Sequence, residues 1–183
     1  MSISGKVSII LGPMFSGKTT ELNRRLTRYE LAQKKVFRIR YKNDTVQTTH
    51  DGVKKKGEKT FKLSELKTQL IKFDIIGIDE AQFFDIEITQ IIQRMADEGL
   101  RVIVAGLDTD FRGEPFGPMP TLMAQAERVD KLHAICMECA EEASRTQRLL
   151  NGKPAHYDDP VVVIGASELY EARCRKHHEV PRD

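Results

Sequence analysis

The sequence predicts an α/β fold: a phosphate-loop NTPase-type parallel sheet flanked by helices, followed by a small C-terminal unit of different texture. Three observations carry this expectation. Short, nearly continuous apolar segments alternate with segments of helical periodicity over residues 7–107, and strands apolar along their whole length belong in a parallel sheet covered on both faces. The first such segment runs into a glycine-containing octapeptide, 12–19, that opens a helix. After about Ala134 the rhythm stops, and cysteines, charged residues and isolated apolar stretches replace it. The expected division is 1–134 and 135–183.

Residues 7–11 read as the first strand, and Leu22, Leu26, Tyr29 and Leu31 mark the helix that follows. Residues 35–41 alternate as a second strand. The polar segment 42–59, with Gly52 and Gly57, reads as a mobile loop. Ser64 ahead of Leu66, Leu70 and Ile71 suggests a short capped helix, and 73–78 a buried strand ending at Asp79. Residues 86–100 are helical, with Ile88, Ile91, Ile92 and Met95 at core spacing and Gly99 placed to stop the helix. Residues 101–107 form the next strand.

Composition limits what the chain can be. With 40% hydrophobic and 31% charged residues it is globular, and no apolar run approaches the roughly 20 residues of a membrane helix. Residues 1–6 are too short and polar to precede a secretory segment, so a cytoplasmic location is expected. The 29 basic and 27 acidic residues give a net charge of +2, and they are well mixed. Even the basic run Lys54, Lys55, Lys56 has no aromatic neighbours for bases to stack on, so no nucleic-acid partner is expected.

Gly12, Pro13, Met14, Phe15, Ser16, Gly17, Lys18 and Thr19 satisfy GxxxxGK[ST] between a strand and a helix, the context the motif requires. The glycines let the backbone curl so that its amides converge on phosphate oxygens at the positive end of the helix. Lys18 neutralises charge, and Thr19 can ligate Mg²⁺. The site's second half should be an acidic residue at the end of a neighbouring strand. Asp79 fits as a magnesium ligand, with a helix-capping role as the alternative. Glu80 beside it can accept a proton from whatever attacks the γ-phosphate, whether water or a substrate hydroxyl.

Cys136 and Cys139 form CxxC, and Cys174 with His177 forms CxxH further along. Cys₃His coordination suits structural zinc and would staple a tail too poor in apolar residues to pack alone. A redox CxxC and unrelated reduced thiols are the alternatives. His178 could replace His177, although the two-residue spacer favours His177.

Given these features, the sequence resembles the zinc-containing (type II) thymidine kinases almost end to end. The likeness is carried by Leu11 through Leu22 around the phosphate loop and by Ile78-Asp79-Glu80-Ala81-Gln82-Phe83-Phe84. It continues in Gly106-Leu107-Asp108 leading to Phe111-Arg112-Gly113-Glu114-Pro115-Phe116-Gly117, in Arg145-Thr146-Gln147-Arg148, and in Val163-Ile164-Gly165 through Tyr170 to Cys174. The resemblance implies transfer of the γ-phosphate of ATP to the 5′-hydroxyl of thymidine in nucleotide salvage, with Glu80 as general base. It implies Asp44 and Gln82 at the nucleotide, and a C-terminal zinc-binding lasso enclosing the base. Met14, Phe83, Leu107, Phe111 and Thr146 would line that pocket, and Tyr170 would meet the deoxyribose. Backbone groups of Val161, Val162, Val163, Ile164 and Gly165 would read the thymine edge. Thymidine triphosphate as feedback inhibitor and a homotetramer are implied as well. One departure is visible: Val46 stands where the family commonly has arginine two residues after the aspartate matched by Asp44, and the region before Thr49-His50-Asp51 is shorter than usual.

Overall fold

The computed structural model of the protein describes residues 5–40, 72–162 and 168–182. The expected loop at 42–59, with Asp44, Val46, Thr49, His50 and Asp51, lies outside the described residues. So do the capped helix near 64–71 and Val163, Ile164 and Gly165.

Five strands, β1 (Lys6–Leu11), β2 (Val36–Arg40), β3 (Ile75–Asp79), β4 (Arg101–Gly106) and β5 (Arg128–Lys131), form one parallel sheet in the order β2-β3-β4-β1-β5. The apolar strands are buried because both faces are covered, and the two-residue strand period sorts their side chains. Val7, Ile9, Leu11, Ile76, Ile78, Val102 and Val104 enter one core with α2 (Ile88–Asp97) and α3 (Met119–Gln125). Ile10, Ile75, Ile103 and Ala105 enter the other with Leu22 and Leu26 of α1 (Lys18–Leu31). Helix α1 lies so close to β3 that a β-carbon at Gly77 would sit 2.4 Å from a Leu26 methyl. No helix among the described residues is long and apolar enough to cross a membrane.

Two expected boundaries move. The helix expected over 86–100 spans Ile88–Asp97, because the chain first makes a 3₁₀ turn at Ala81–Phe83 and leaves Ile86 exposed. Its end is a Schellman motif: Gly99 is left-handed (φ 92°), Gly99 N–H donates to Ala96 O at 2.9 Å, and Leu100 N–H donates to Met95 O at 2.9 Å. The strand expected from 73 starts at Ile75, and just before it the Asp74 carboxylate accepts from Lys35 N–H at 2.8 Å.

Beyond β5 the pairing turns antiparallel. β6 (Ala134–Ile135) pairs with β7 (Glu142–Ala143), and β8 (Arg145–Leu150) lies between β9 (Lys153–Pro154) and β10 (Glu168–Arg173). The β8–β9 hairpin closes through Asn151 (φ 52°) and Gly152 (φ 77°), the Asn-Gly pair that a two-residue type I′ turn requires. Sequence reading passed over that cue.

Parallel register aligns the carboxyl ends. Leu11 lies opposite both Gly106 and Lys131, and Ile78 opposite Val104. The segments leaving β1, β3, β4 and β5 therefore share one edge, where the strand order reverses about β1 and an open α/β sheet presents its ligand crevice.

Candidate active and metal sites

The loop leaving β1 is shaped by what surrounds it. Gly12 has φ 146°, and a β-carbon there would lie 2.3 Å from the Leu132 carbonyl oxygen, so no other residue fits. Gly17 (φ 81°) caps α1 and leaves its first amides at the positive end of the helix. Between them Phe15 is also left-handed (φ 65°) and 63% exposed. Ser16 Oγ donates to Pro13 O at 2.8 Å and Lys18 Nζ donates to the same carbonyl at 2.6 Å. Lys18 is buried, and burial lowers its pKa against the raising influence of Glu80, Asp79 and Asp108. A cation stripped of water and held by acids suits an anionic ligand.

The acidic half comes from the end of β3. Thr19 Oγ1 donates to Asp79 Oδ2 at 3.0 Å, which brings together the hydroxyl and carboxylate a magnesium ion would use. Glu80 is left-handed (φ 55°, ψ 42°), a conformation that costs a non-glycine residue about 1–3 kcal/mol and collects at functional sites. Its backbone N–H donates to Asp79 Oδ1 at 3.0 Å, and its Oε2 accepts from Gln82 Nε2 at 2.6 Å. Gln82 Oε1 in turn accepts from Leu107 N–H at 2.9 Å. Since that backbone group can only donate, the amide orientation of Gln82 is fixed, and its nitrogen must face Glu80.

Asp108, just past β4, is a member that sequence reading quoted in a motif without giving it a role. It is buried, its Oδ2 meets Lys131 Nζ at 2.8 Å, and its Oδ1 has no hydrogen-bond partner. The pair spans from the exit of β4 to the end of β5, with β1 between them. Its signal was position alone, a carboxylate one residue beyond an apolar strand at the edge that carries Asp79.

The residues expected around a base stand in separate contacts. Met14 N–H donates to Thr146 Oγ1 at 3.0 Å, so β8 touches the phosphate loop directly. Phe111 is buried, with the Arg148 guanidinium carbon 4.2 Å from its ring centroid. Arg148 is 1% exposed, donates from Nη1 to Pro160 O, and lies opposite Tyr170 in the β8–β10 register. It thus joins Phe111, Tyr170 and the residue before Val161. Val161 is half-buried and Val162 exposed. Leu107 enters through Gln82. Phe83 packs edge-on against Phe116, ring centroids 5.5 Å apart.

The metal candidates converge. One ligand atom from each of Cys136, Cys139, Cys174 and His177 lies within 4.8 Å of every other. Zinc bonds of about 2.3 Å to sulfur and about 2.0 Å to nitrogen in a tetrahedron set edges of about 3.8 Å (S–S) and about 3.5 Å (S–N). Cys139 Sγ and Cys174 Sγ are 3.8 Å apart, and His177 Nδ1 is 3.7 Å from Cys136 Sγ and 3.4 Å from Cys174 Sγ. The donor set therefore fits zinc, which would supply cross-linking here. Burial opposes ionising Cys136, yet backbone groups of Cys174, Glu138 and Cys139 together with His177 bring its pKa down to about 5. His178 turns away, its Nε2 2.8 Å from the Phe111 carbonyl oxygen.

A family model described as thymidine kinase matches residues 5–178. Among solved structures the chain is similar to domain III of the Thermotoga maritima replication initiation protein DnaA, at 22% identity and TM-score 0.45, over 70% of this chain and 55% of that one. It is also similar to a replication initiator DnaA bound to AMPPCP and single-stranded DNA, at 13% identity and TM-score 0.46, over 69% of this chain and 40% of that one. The chain thus spans about half the length of the solved structures it matches.

Proposed function

We infer the function of this chain from one premise: it belongs to the thymidine kinase family, whose model spans residues 5–178. It transfers the γ-phosphoryl group of ATP to the 5′-hydroxyl of thymidine, giving thymidine monophosphate and ADP. The observation that carries the reading is Glu80, held by Gln82 in a left-handed backbone next to the Thr19–Asp79 pair.

In the step itself the hydroxyl oxygen forms a bond to the γ-phosphorus as the bond to the β–γ bridging oxygen breaks. The proton of the hydroxyl passes to the Glu80 carboxylate, and charge accumulates on the departing ADP. Lys18, released from Pro13 O to the phosphates, stabilises that charge, and the loop amides hold the donor in line. Thr19 and Asp79 would hold magnesium, which neutralises charge on the β- and γ-oxygens when bound. Gln82 keeps the base aimed.

The base pocket is formed by Met14, Leu107, Phe111 and Thr146, with Tyr170 against the deoxyribose and the backbone of 161–165 reading the thymine edge. Phe83 joins it, and Asp44 acts at the nucleotide. In this reading residues 1–134 form the ATP-binding unit and 135–183 the zinc-tied lasso. The enzyme works in nucleotide salvage as a cytoplasmic homotetramer, with thymidine triphosphate as feedback inhibitor. The test is purified protein with ATP and Mg²⁺, with and without thymidine, following thymidine monophosphate and ADP. ADP formed equally in both samples overturns the reading in favour of an ATPase.

A further inference from the structure

Two adjacent histidines face opposite ways. His177 belongs to the cysteine cluster. The His178 ring is half-buried, with Nε2 2.8 Å from the carbonyl oxygen of Phe111. A carbonyl only accepts, so Nε2 carries the proton. The ring is thus tied to Phe111.

The residues on either side of the ring are anchored. His177 is fixed in the cluster, and Glu179 is clamped by Gln147, which donates from Nε2 to Glu179 O at 2.9 Å and accepts from Glu179 N–H at 2.8 Å. Opposite the ring, Gly113 is left-handed (φ 80°), and a β-carbon there would lie 3.8 Å from His178 Cε1.

We propose that His178 is a positioning residue that transmits the order of the metal-tied C-terminal knot to the nucleoside pocket, by holding Phe111 through its carbonyl. The proposal rests on the thymidine kinase reading for its ligand, and on the geometry alone for the coupling. His178 touches no reacting atom. It sets where the Phe111 wall of the pocket stands.

The experiment compares wild type with His178→Ala and His178→Gln, the latter because a glutamine amide can donate from nearly the same place. A neutral hydrogen bond of this kind is worth about three- to tenfold in an equilibrium. The expected result for His178→Ala is a thymidine KM raised by about that factor, an ATP KM within about twofold of wild type and unchanged zinc content, with His178→Gln recovering most of the thymidine KM. Loss of zinc from His178→Ala would make the residue a metal ligand and overturn the proposal. An unchanged thymidine KM, or equal rises for both substrates, would overturn it as well. Hydrogen exchange provides a readout independent of catalysis. Removing zinc should speed exchange around 111–113 in wild type, while in His178→Ala that segment should exchange fast with or without zinc. Exchange that ignores both zinc and His178 refutes the coupling. Failure of the kinase reading shows separately, as a wild type that makes no thymidine monophosphate.

Discussion

Replacing Glu80 with Gln removes a proton acceptor and little else. The side-chain length is kept, the left-handed backbone at φ 55° is as tolerable for Gln as for Glu, and the new carbonyl oxygen can still accept from Gln82 Nε2, now 2.6 Å from the carboxylate. The bond to Gln82 loses its charge assistance, worth about 1 kcal/mol, and the site is relieved of confining a carboxylate, an offset of similar size. Stability should therefore change by no more than about 1 kcal/mol, or about 2–4 °C in Tm for a chain of this length. The chemical step loses its general base, a loss of about 10²–10⁴-fold in kcat and equivalent to ~3–5 kcal/mol of barrier. ATP affinity should stay near wild type, because Lys18, the loop amides and the Thr19–Asp79 pair are untouched. The assay is steady-state formation of thymidine monophosphate, with thermal unfolding and ATP binding measured on the same preparation. A kcat within tenfold of wild type would remove Glu80 from its role, and a Tm that collapses with activity would make it a structural residue.

Four other outcomes follow from the geometry. Protein purified without chelator should carry one zinc per chain, and Cys139→Ser should lower that content and the Tm together; a metal-free protein of undiminished Tm contradicts the cluster's role. Gly12→Ala places a β-carbon against the Leu132 carbonyl oxygen at 2.3 Å, so it should cost at least about 2 kcal/mol in urea unfolding and abolish ATP binding. Glu21, hydrogen-bonded by Arg24 and then by Arg25, has its pKa lowered from 4.5 to about 2. Its contribution to stability is thus complete above about pH 4.5 and is lost as pH falls through about 2, and the stability difference between wild type and Glu21→Gln should shrink over that window. Arg148→Met removes the contact with Phe111 and the bond to Pro160 O. These contacts together are worth about 4 kcal/mol, partly offset by no longer burying a guanidinium, so a net loss of about 2 kcal/mol is expected by urea unfolding. A gain in stability would show that burying the charge outweighs its contacts.

What could be read from the chain directly was whatever depends on neighbours in sequence. The strand, turn and helix around residues 12–19 are such a case, because backbone curl, glycine placement and helix start all lie within one short stretch. So are four of the sheet's five strands, β1, β3 and β4 as apolar runs covered on both faces and β2 by its alternation, whereas the exposed β5, Arg128–Lys131, carries no apolar run and was not read from the sequence. The end of α2 at Gly99 was legible for the same reason. The Asn151–Gly152 hairpin is equally local, its Asn-Gly pair being the type I′ turn signal.

Other features depend on which strands lie side by side, and spacing does not encode that. Asp108 became part of the site because β4 sits between β3 and β1, and its partner Lys131 is supplied from the far side of β1. Gln82 acquired a fixed amide orientation only through Leu107, a residue 25 positions away. The choice between His177 and His178 was open in sequence because both follow Cys174 at workable distances. In the fold, Cys136 and Cys139 stand on one side of that pair and Phe111 on the other, so one ring faces the sulfurs and the next faces a carbonyl. Sequence named the chemical groups, because residue type sets what an atom can donate, accept or ligate. Folding assigned their partners, because a contact between distant segments is fixed by sheet order and register.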